Sequence, residues 1–240
     1  MPSSRRDLAR RLTELIDDAR PRPSGLPRAR VIGVTGPPGA GKSTLVDRLI
    51  KDFRSQGKRV GVLVVDPSSP LTGGALLGDR IRMQAHAADE DVFIRSLATR
   101  GHLGGLAPGI EAALEVLADE SFDPLVIETV GVGQSEVDVV KVANPVVLVL
   151  HPGWGDEVQA AKAGLLEIAD IYFVNKADQG NVEAVMAQLR DMLSQGRREA
   201  PVIGGSALTG EGLDELLEAL VRHRRSTGEA PLGPPPAGRP

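Results

Sequence analysis

The residues with the clearest chemistry are Gly36-Pro37-Pro38-Gly39-Ala40-Gly41-Lys42-Ser43-Thr44. The spacing glycine, four residues, Gly41-Lys42-Ser43 lets successive backbone N–H groups wrap a polyphosphate. Lys42 can then reach the terminal phosphates, and the Ser43 hydroxyl can ligate Mg²⁺. A helix beginning at this point adds partial positive charge behind the anion. Three further carboxylate-bearing stretches follow. Asp66 closes the apolar run Val60-Gly61-Val62-Leu63-Val64-Val65, where a parallel α/β sheet presents groups to a ligand. Glu128 closes Pro124-Leu125-Val126-Ile127 and is followed by Thr129-Val130-Gly131. In this arrangement a second acidic group serves Mg²⁺ and a glycine turn, here at Gly131, senses the last phosphate. Asn175-Lys176-Ala177-Asp178 ends another apolar run. An Asp carboxylate there can accept two hydrogen bonds from the ring N–H and exocyclic amine of guanine, a pattern adenine does not offer. Ser206-Ala207-Leu208 supplies a backbone N–H for the guanine carbonyl. Read together, these residues bind a guanine nucleoside triphosphate.

The elements that must position them follow from periodicity. Apolar strands are expected at 31–34, 59–65, 92–95, 124–127, 146–150, 171–174 and 201–204. Helices are expected over 4–20, from Leu45 on, and over 81–88, 110–119, 181–193 and 211–224, with another running to Ala169. Strands alternating with helices make an α/β fold, a mostly parallel sheet with helices on both faces. Residues 1–29 read as an N-terminal helix and linker, 30–226 as one P-loop domain, and 227–240 as a disordered tail rich in Pro and Gly. The glycine-rich stretch 71–80, with Asp79 and the nearby Arg82, is a switch candidate. A second such loop, 96–109, holds Arg100 and His102.

Composition narrows the classes. The 240 residues are 41% hydrophobic and 25% charged, with net charge −4, so neither a non-specific nucleic-acid binder nor a disordered chain is expected. Cysteine is absent, which removes disulfides, a catalytic thiol and thiolate metal sites and fits a reducing cytoplasm. No run approaches the ~18 apolar residues of a membrane span, and no signal-peptide core opens the chain.

Five blocks in order, Gly36 to Thr44, Val65-Asp66-Pro67-Ser68-Ser69, Gly73 to Arg80, Glu128 to Ser135 and Asn175 to Asp178, resemble the MeaB/ArgK family of G proteins over about residues 30 to 225. The resemblance implies a GTPase chaperone of an adenosylcobalamin-dependent acyl-CoA mutase, methylmalonyl-CoA mutase being the usual client. Adenosylcobalamin would be reached only through that partner. It implies Lys42 and its loop on the phosphates, Ser43 and Asp79 on Mg²⁺, Asp66 and Glu128 completing the metal and water network, and Asn175, Lys176 and Asp178 reading guanine. It also places an additional switch at Gly153 to Lys162, around Trp154. The C-terminal extension that makes the family's dimer is not evident in this sequence.

Where many small GTPases carry a water-orienting Gln directly after the switch glycine, this chain has Val132, with Gln134 further on. Slow hydrolysis alone is therefore expected, quickened by the mutase, with Asp66 positioning the water. Three alternatives stand beside this reading. A metallochaperone GTPase would want clustered Cys and His, but His86, His102, His151 and His223 are scattered. An ATP-dependent kinase or transport ATPase is opposed by Asn175-Lys176-x-Asp178. A module that binds GTP without hydrolysing it is the third.

Overall fold

The computed structural model describes residues 5–17, 30–66, 85–86, 88–98, 109–129, 138–154, 163–196 and 199–227. Seven strands form one all-parallel sheet: β1 (Val31–Thr35), β2 (Val60–Asp66), β3 (Val92–Ala98), β4 (Leu125–Thr129), β5 (Val146–Leu150), β6 (Ile171–Val174) and β7 (Val202–Gly204). Their order is β3-β2-β4-β1-β5-β6-β7. The chain leaves β1 for β2 and β3 on one side, then returns through β4 to build β5, β6 and β7 on the other. The crevice at the carboxyl ends of β4, β1 and β5 is therefore the place where such sheets receive ligands.

Burial on both faces explains why the strands read as unbroken apolar runs. One face packs α2 (Lys42–Ser55) and α6 (Leu213–Thr227), whose Leu45, Leu49, Leu216 and Leu220 meet Ile32, Val34, Val126 and Val147. The opposite face carries α1 (Arg5–Asp17) and α3 (Ile110–Asp119) over β2 and β4, and α4 (Ala163–Ile168) and α5 (Val182–Gln195) beside β5 and β6. The N-terminal helix is cover, as its pattern suggested. Leu8 and Leu12 are buried, each contributing roughly 2 kcal/mol of transfer free energy, and Arg95 of β3 donates to Ala9 O at 3.2 Å and Thr13 Oγ1 at 2.6 Å.

Several boundaries differ from the sequence expectation by a few residues, and three of the shifts have a visible cause. β3 runs on to Ala98 because every residue from Val92 pairs with β2, up to Asp66 against Ala98. α2 starts at Lys42, inside the loop motif, because Gly41 caps it and its carbonyl accepts from Leu45 N at 2.9 Å. α6 starts at Leu213 rather than 211, because Gly210 and Gly212 both hold positive φ and keep the chain in a turn. The expected helix 81–88, the loop around Arg100 and His102, and the 228–240 tail fall wholly or mainly outside the described residues. No described helix is long and apolar enough to cross a membrane.

Candidate functional site

The phosphate loop bridges the end of β1 and the start of α2. Gly36 has φ 138°, and a Cβ there would stand 2.1 Å from Val149 O; the loop can turn this tightly against β5 only without a side chain. Gly41, at φ 91°, is the left-handed residue from which the chain enters the helix. The amides of Lys42, Ser43 and Thr44 open α2 and have no acceptor within the helix, so an anion at this end meets backbone donors and the helix dipole together. Lys42 is buried, and its ammonium donates to Gly36 O at 2.6 Å and Pro37 O at 2.9 Å. It is thereby held over the loop that it is expected to serve.

The Ser43 hydroxyl donates to Glu128 Oε1, and Glu128 is buried at the end of β4. Two residues chosen for metal binding from widely separated motifs thus touch. A hydroxyl and a carboxylate are hard oxygen donors, the kind Mg²⁺ takes when phosphates and waters complete its shell, so this pair fits that ion. Ser43 and Glu128 would hold it, and its chemistry there would be neutralisation of phosphate charge. Ser43 and Glu128 also line a recess whose other walls are largely apolar, Val46, Ile50, Val62, Val64 and Ile94. At its rim His86 Nε2 lies 2.8 Å from Asp47 Oδ1. Burial opposes ionisation of Asp47, yet hydrogen bonds from Lys51 and His86 outweigh it and hold its carboxyl below the ordinary range.

The base end is assembled by turns after β6 and β7. Ala177 N donates to Gly205 O and Gly205 N to Val174 O, both at 2.9 Å, locking the two turns together. Lys176 sits at φ 69°, an uncommon conformation for a side chain of its size. Asp178 is exposed and accepts from the Ser206 hydroxyl on Oδ1. A carboxylate can accept further bonds beside that one, which suits the guanine edge.

Asn175, expected to read the base, also braces the site. Its side chain is buried; Nδ2 donates to Ala40 O at 2.8 Å, and Oδ1 accepts from Ala207 N at 2.8 Å. It is a strut between the phosphate loop and the base turn. That bond also engages the Ala207 amide. The amides of Ser206, Thr209 and Gly210 donate internally as well, so among the described residues the turn's amide without an acceptor is that of Leu208. The carbonyl contact expected of Ser206-Ala207-Leu208 therefore falls to Leu208, whose side chain is 70% exposed.

Thr44 is exposed at the start of α2, beside the loop residues Pro38, Gly39 and Ala40 that complete the expected phosphate cradle. Asp66 ends β2, paired with Ala98, as the sequence placed it. Its side chain, Asp79, Gly131 and residues 155–162 lie outside the described residues; Pro152–Trp154 form a single 3₁₀ turn. Sequence reasoning overlooked the hydroxyl pair Thr35 and Thr129, although each adjoins a singled-out residue, Gly36 or Glu128.

Comparison with known proteins gives a consistent picture. A family profile described as "Methylmalonyl Co-A mutase-associated GTPase MeaB" matches residues 3–232. A protein of Pyrococcus abyssi named as a GTPase is 54% identical over 203 residues, 82% of this chain and 63% of its own. The "Methylmalonic aciduria type A homolog, mitochondrial" of Mus musculus is 38% identical over 221 residues, 89% of this chain and 53% of its own. Among solved structures, one described as a LAO/AO transport system kinase superposes with a TM-score of 0.63 at 26% identity, covering 94% of this chain and 73% of that one. The chain spans about three-fifths of the length of the curated relatives that it matches most strongly.

Proposed function

The chain belongs to the MeaB family of GTPases, and from that premise we propose that it binds GTP with Mg²⁺, hydrolyses it slowly alone, and uses the GTP and GDP states to gate cofactor loading or protection of an adenosylcobalamin-dependent acyl-CoA mutase. One observation carries the nucleotide part. The Asn175 carboxamide ties the Lys42 loop to the turn beside Asp178, so phosphate and base determinants form one continuous surface. The partner part draws support from the family's description and from the mouse relative's name. Methylmalonyl-CoA mutase is the first client to test.

Each group has a part in this reading. Lys42 and the α2 amides neutralise the phosphates, Ser43 and Glu128 hold the metal with Asp79, and Asp66 orients the attacking water. Gly131 senses the last phosphate, Asp178 and the Leu208 amide read guanine, and Lys176 lies along the base. Val132 stands where many GTPases carry the water-orienting Gln, so turnover is expected to rise when the mutase completes the site.

Titration of the purified protein with GTP and ATP in Mg²⁺, followed by single-turnover hydrolysis with and without methylmalonyl-CoA mutase, tests both parts. Binding of GTP at least ~100-fold tighter than ATP is expected from paired hydrogen bonds to the base, with hydrolysis accelerated by the mutase. Equal affinity for the two nucleotides would overturn the guanine reading. Hydrolysis that is fast alone and indifferent to the mutase would remove the gating role.

A further inference from the structure

The end of β4 grips the phosphate loop from both faces of the sheet. Val34 is in register with Glu128, which makes Thr35 and Thr129 the next pair outward on the opposite face. The Thr129 hydroxyl donates to the Thr35 hydroxyl over 2.9 Å, and both residues are 0% exposed. On the α2 face the neighbouring Glu128 accepts from Ser43. Thr35 is the last residue before the loop, and Ser43 is the second residue of the helix that follows it. Two consecutive residues of one strand therefore hold the loop's two ends.

Stability alone gives no reason for hydroxyls at 35 and 129. The same face carries Val31, Leu125 and Ile127, and a pair of valines would fill the space without burying polar groups. What the hydroxyls add is a directional side-chain tie just beyond the last β1–β4 pair, Val34 with Glu128, where the backbone ladder between these strands stops. The two grips also differ in kind. Ser43 and Glu128 are the groups expected to serve the metal. The threonine pair is fully buried on the opposite face, so it holds β4 against the loop whatever the loop contains.

We propose that Thr129 is a positioning residue for GTP turnover, acting through Thr35 to hold Glu128 in register with the phosphate loop. The inference rests on the GTPase reading above. Its effect falls on the chemical step, because a small misplacement of reacting groups lowers rate far more than it lowers binding.

Four variants, Thr129→Val, Thr35→Val, the double valine and Thr129→Ser, measured beside the wild type, give the test. Steady-state GTP hydrolysis yields kcat and KM, fluorescent GDP gives affinity, and thermal unfolding reports on the pair itself. Thr129→Val is expected to lower kcat about tenfold while KM and GDP affinity stay within about twofold. Thr129→Ser keeps the hydroxyl and restores the rate. The double variant is no slower than either single and melts no lower, since each single strands one buried hydroxyl and the double strands none.

Wild-type kcat in Thr129→Val overturns the proposal, as does an equal fall in GDP affinity and kcat, or rate losses that multiply in the double variant. If Thr129→Val shows no unfolding transition, Thr35→Val carries the same expectations. A wild-type protein that binds GTP but never hydrolyses it removes the GTPase reading and this inference with it; a working wild type beside unaffected variants removes the inference alone.

Discussion

At the phosphate end, charged or hydroxyl side chains make the contacts, to the loop, between strand and helix, and between strands: Lys42 to Gly36 and Pro37, Ser43 to Glu128, Thr129 to Thr35. At the base end, backbone turns lock to each other, and one neutral carboxamide, Asn175, joins them to the loop. The first region is held at several points on both faces of the sheet. The second hangs on a strut buried among groups that have no ready substitute. Changes at the phosphate end should thus alter affinity for any nucleoside triphosphate or the rate of its hydrolysis. Changes at the base end should alter which base is accepted, or weaken every guanine nucleotide alike.

The largest effect expected is at Asp178. Replacement by Asn puts an N–H donor where guanine offers donors of its own, so GTP affinity should fall about 100-fold or more, with xanthine nucleotides gaining relative to guanine. Competition titration with GTP and XTP measures this. An unchanged ratio would place base recognition elsewhere and dissolve the contrast between the ends.

Asn175→Ala comes next. It leaves Ala207 N–H and Ala40 O without their partner, which should lower stability by about 2 kcal/mol, and GDP and GTP affinities should drop together by about tenfold. Differential scanning calorimetry and fluorescent-nucleotide titration read the two effects. A loss confined to GTP would mean that the strut acts through the last phosphate rather than through the base turn.

The smallest effect lies away from both ends, just before β3. The hydrogen bond from Arg54 holds the Asp89 carboxyl below its ordinary range against the opposing effect of burial. Because the native pKa lies below the unfolded one, this pair stabilises the fold above about pH 4 and the contribution is lost as pH falls through the native value. Asp89→Asn should flatten the acid arm of the stability profile by well under 1 kcal/mol, since the carboxylate is partly exposed. Urea unfolding between pH 7 and 3 checks it. Nucleotide affinity at neutral pH should not change, in contrast to both site variants.

Much of this arrangement was legible before any coordinates. Helix 110–119 and strands 146–150 and 171–174 stand at the expected residues, because short buried runs bounded by turns leave little ambiguity. Ser43 and Glu128 were each expected at Mg²⁺ from separate motifs, and their side chains touch. Less local facts were not legible. β3 gains Ser96, Leu97 and Ala98 through pairing with β2, in a stretch that reads locally as the start of a glycine-rich loop. Asn175 meets Ala40 across 135 residues, so no window of sequence contains both. Its motif suggested a base contact; the turn geometry adds the brace to the phosphate loop, which takes one of the two Nδ2 hydrogens. The amide of Leu208 emerged by the same route, once the hydrogen bonds of its neighbours were assigned.

A Cβ at Gly41 would stand 2.3 Å from Asn175 Nδ2. Position 41 is therefore where the two ends of the site meet atom against atom, and a single methyl group would be felt at both. Drift at this glycine cannot be offset by adjusting the phosphate loop alone, because the relief would have to come from the carboxamide that carries the base turn. The two halves of the nucleotide surface are thus bound to change together over evolutionary time, and a homologue with any other residue at 41 should also show a rebuilt connection at 175.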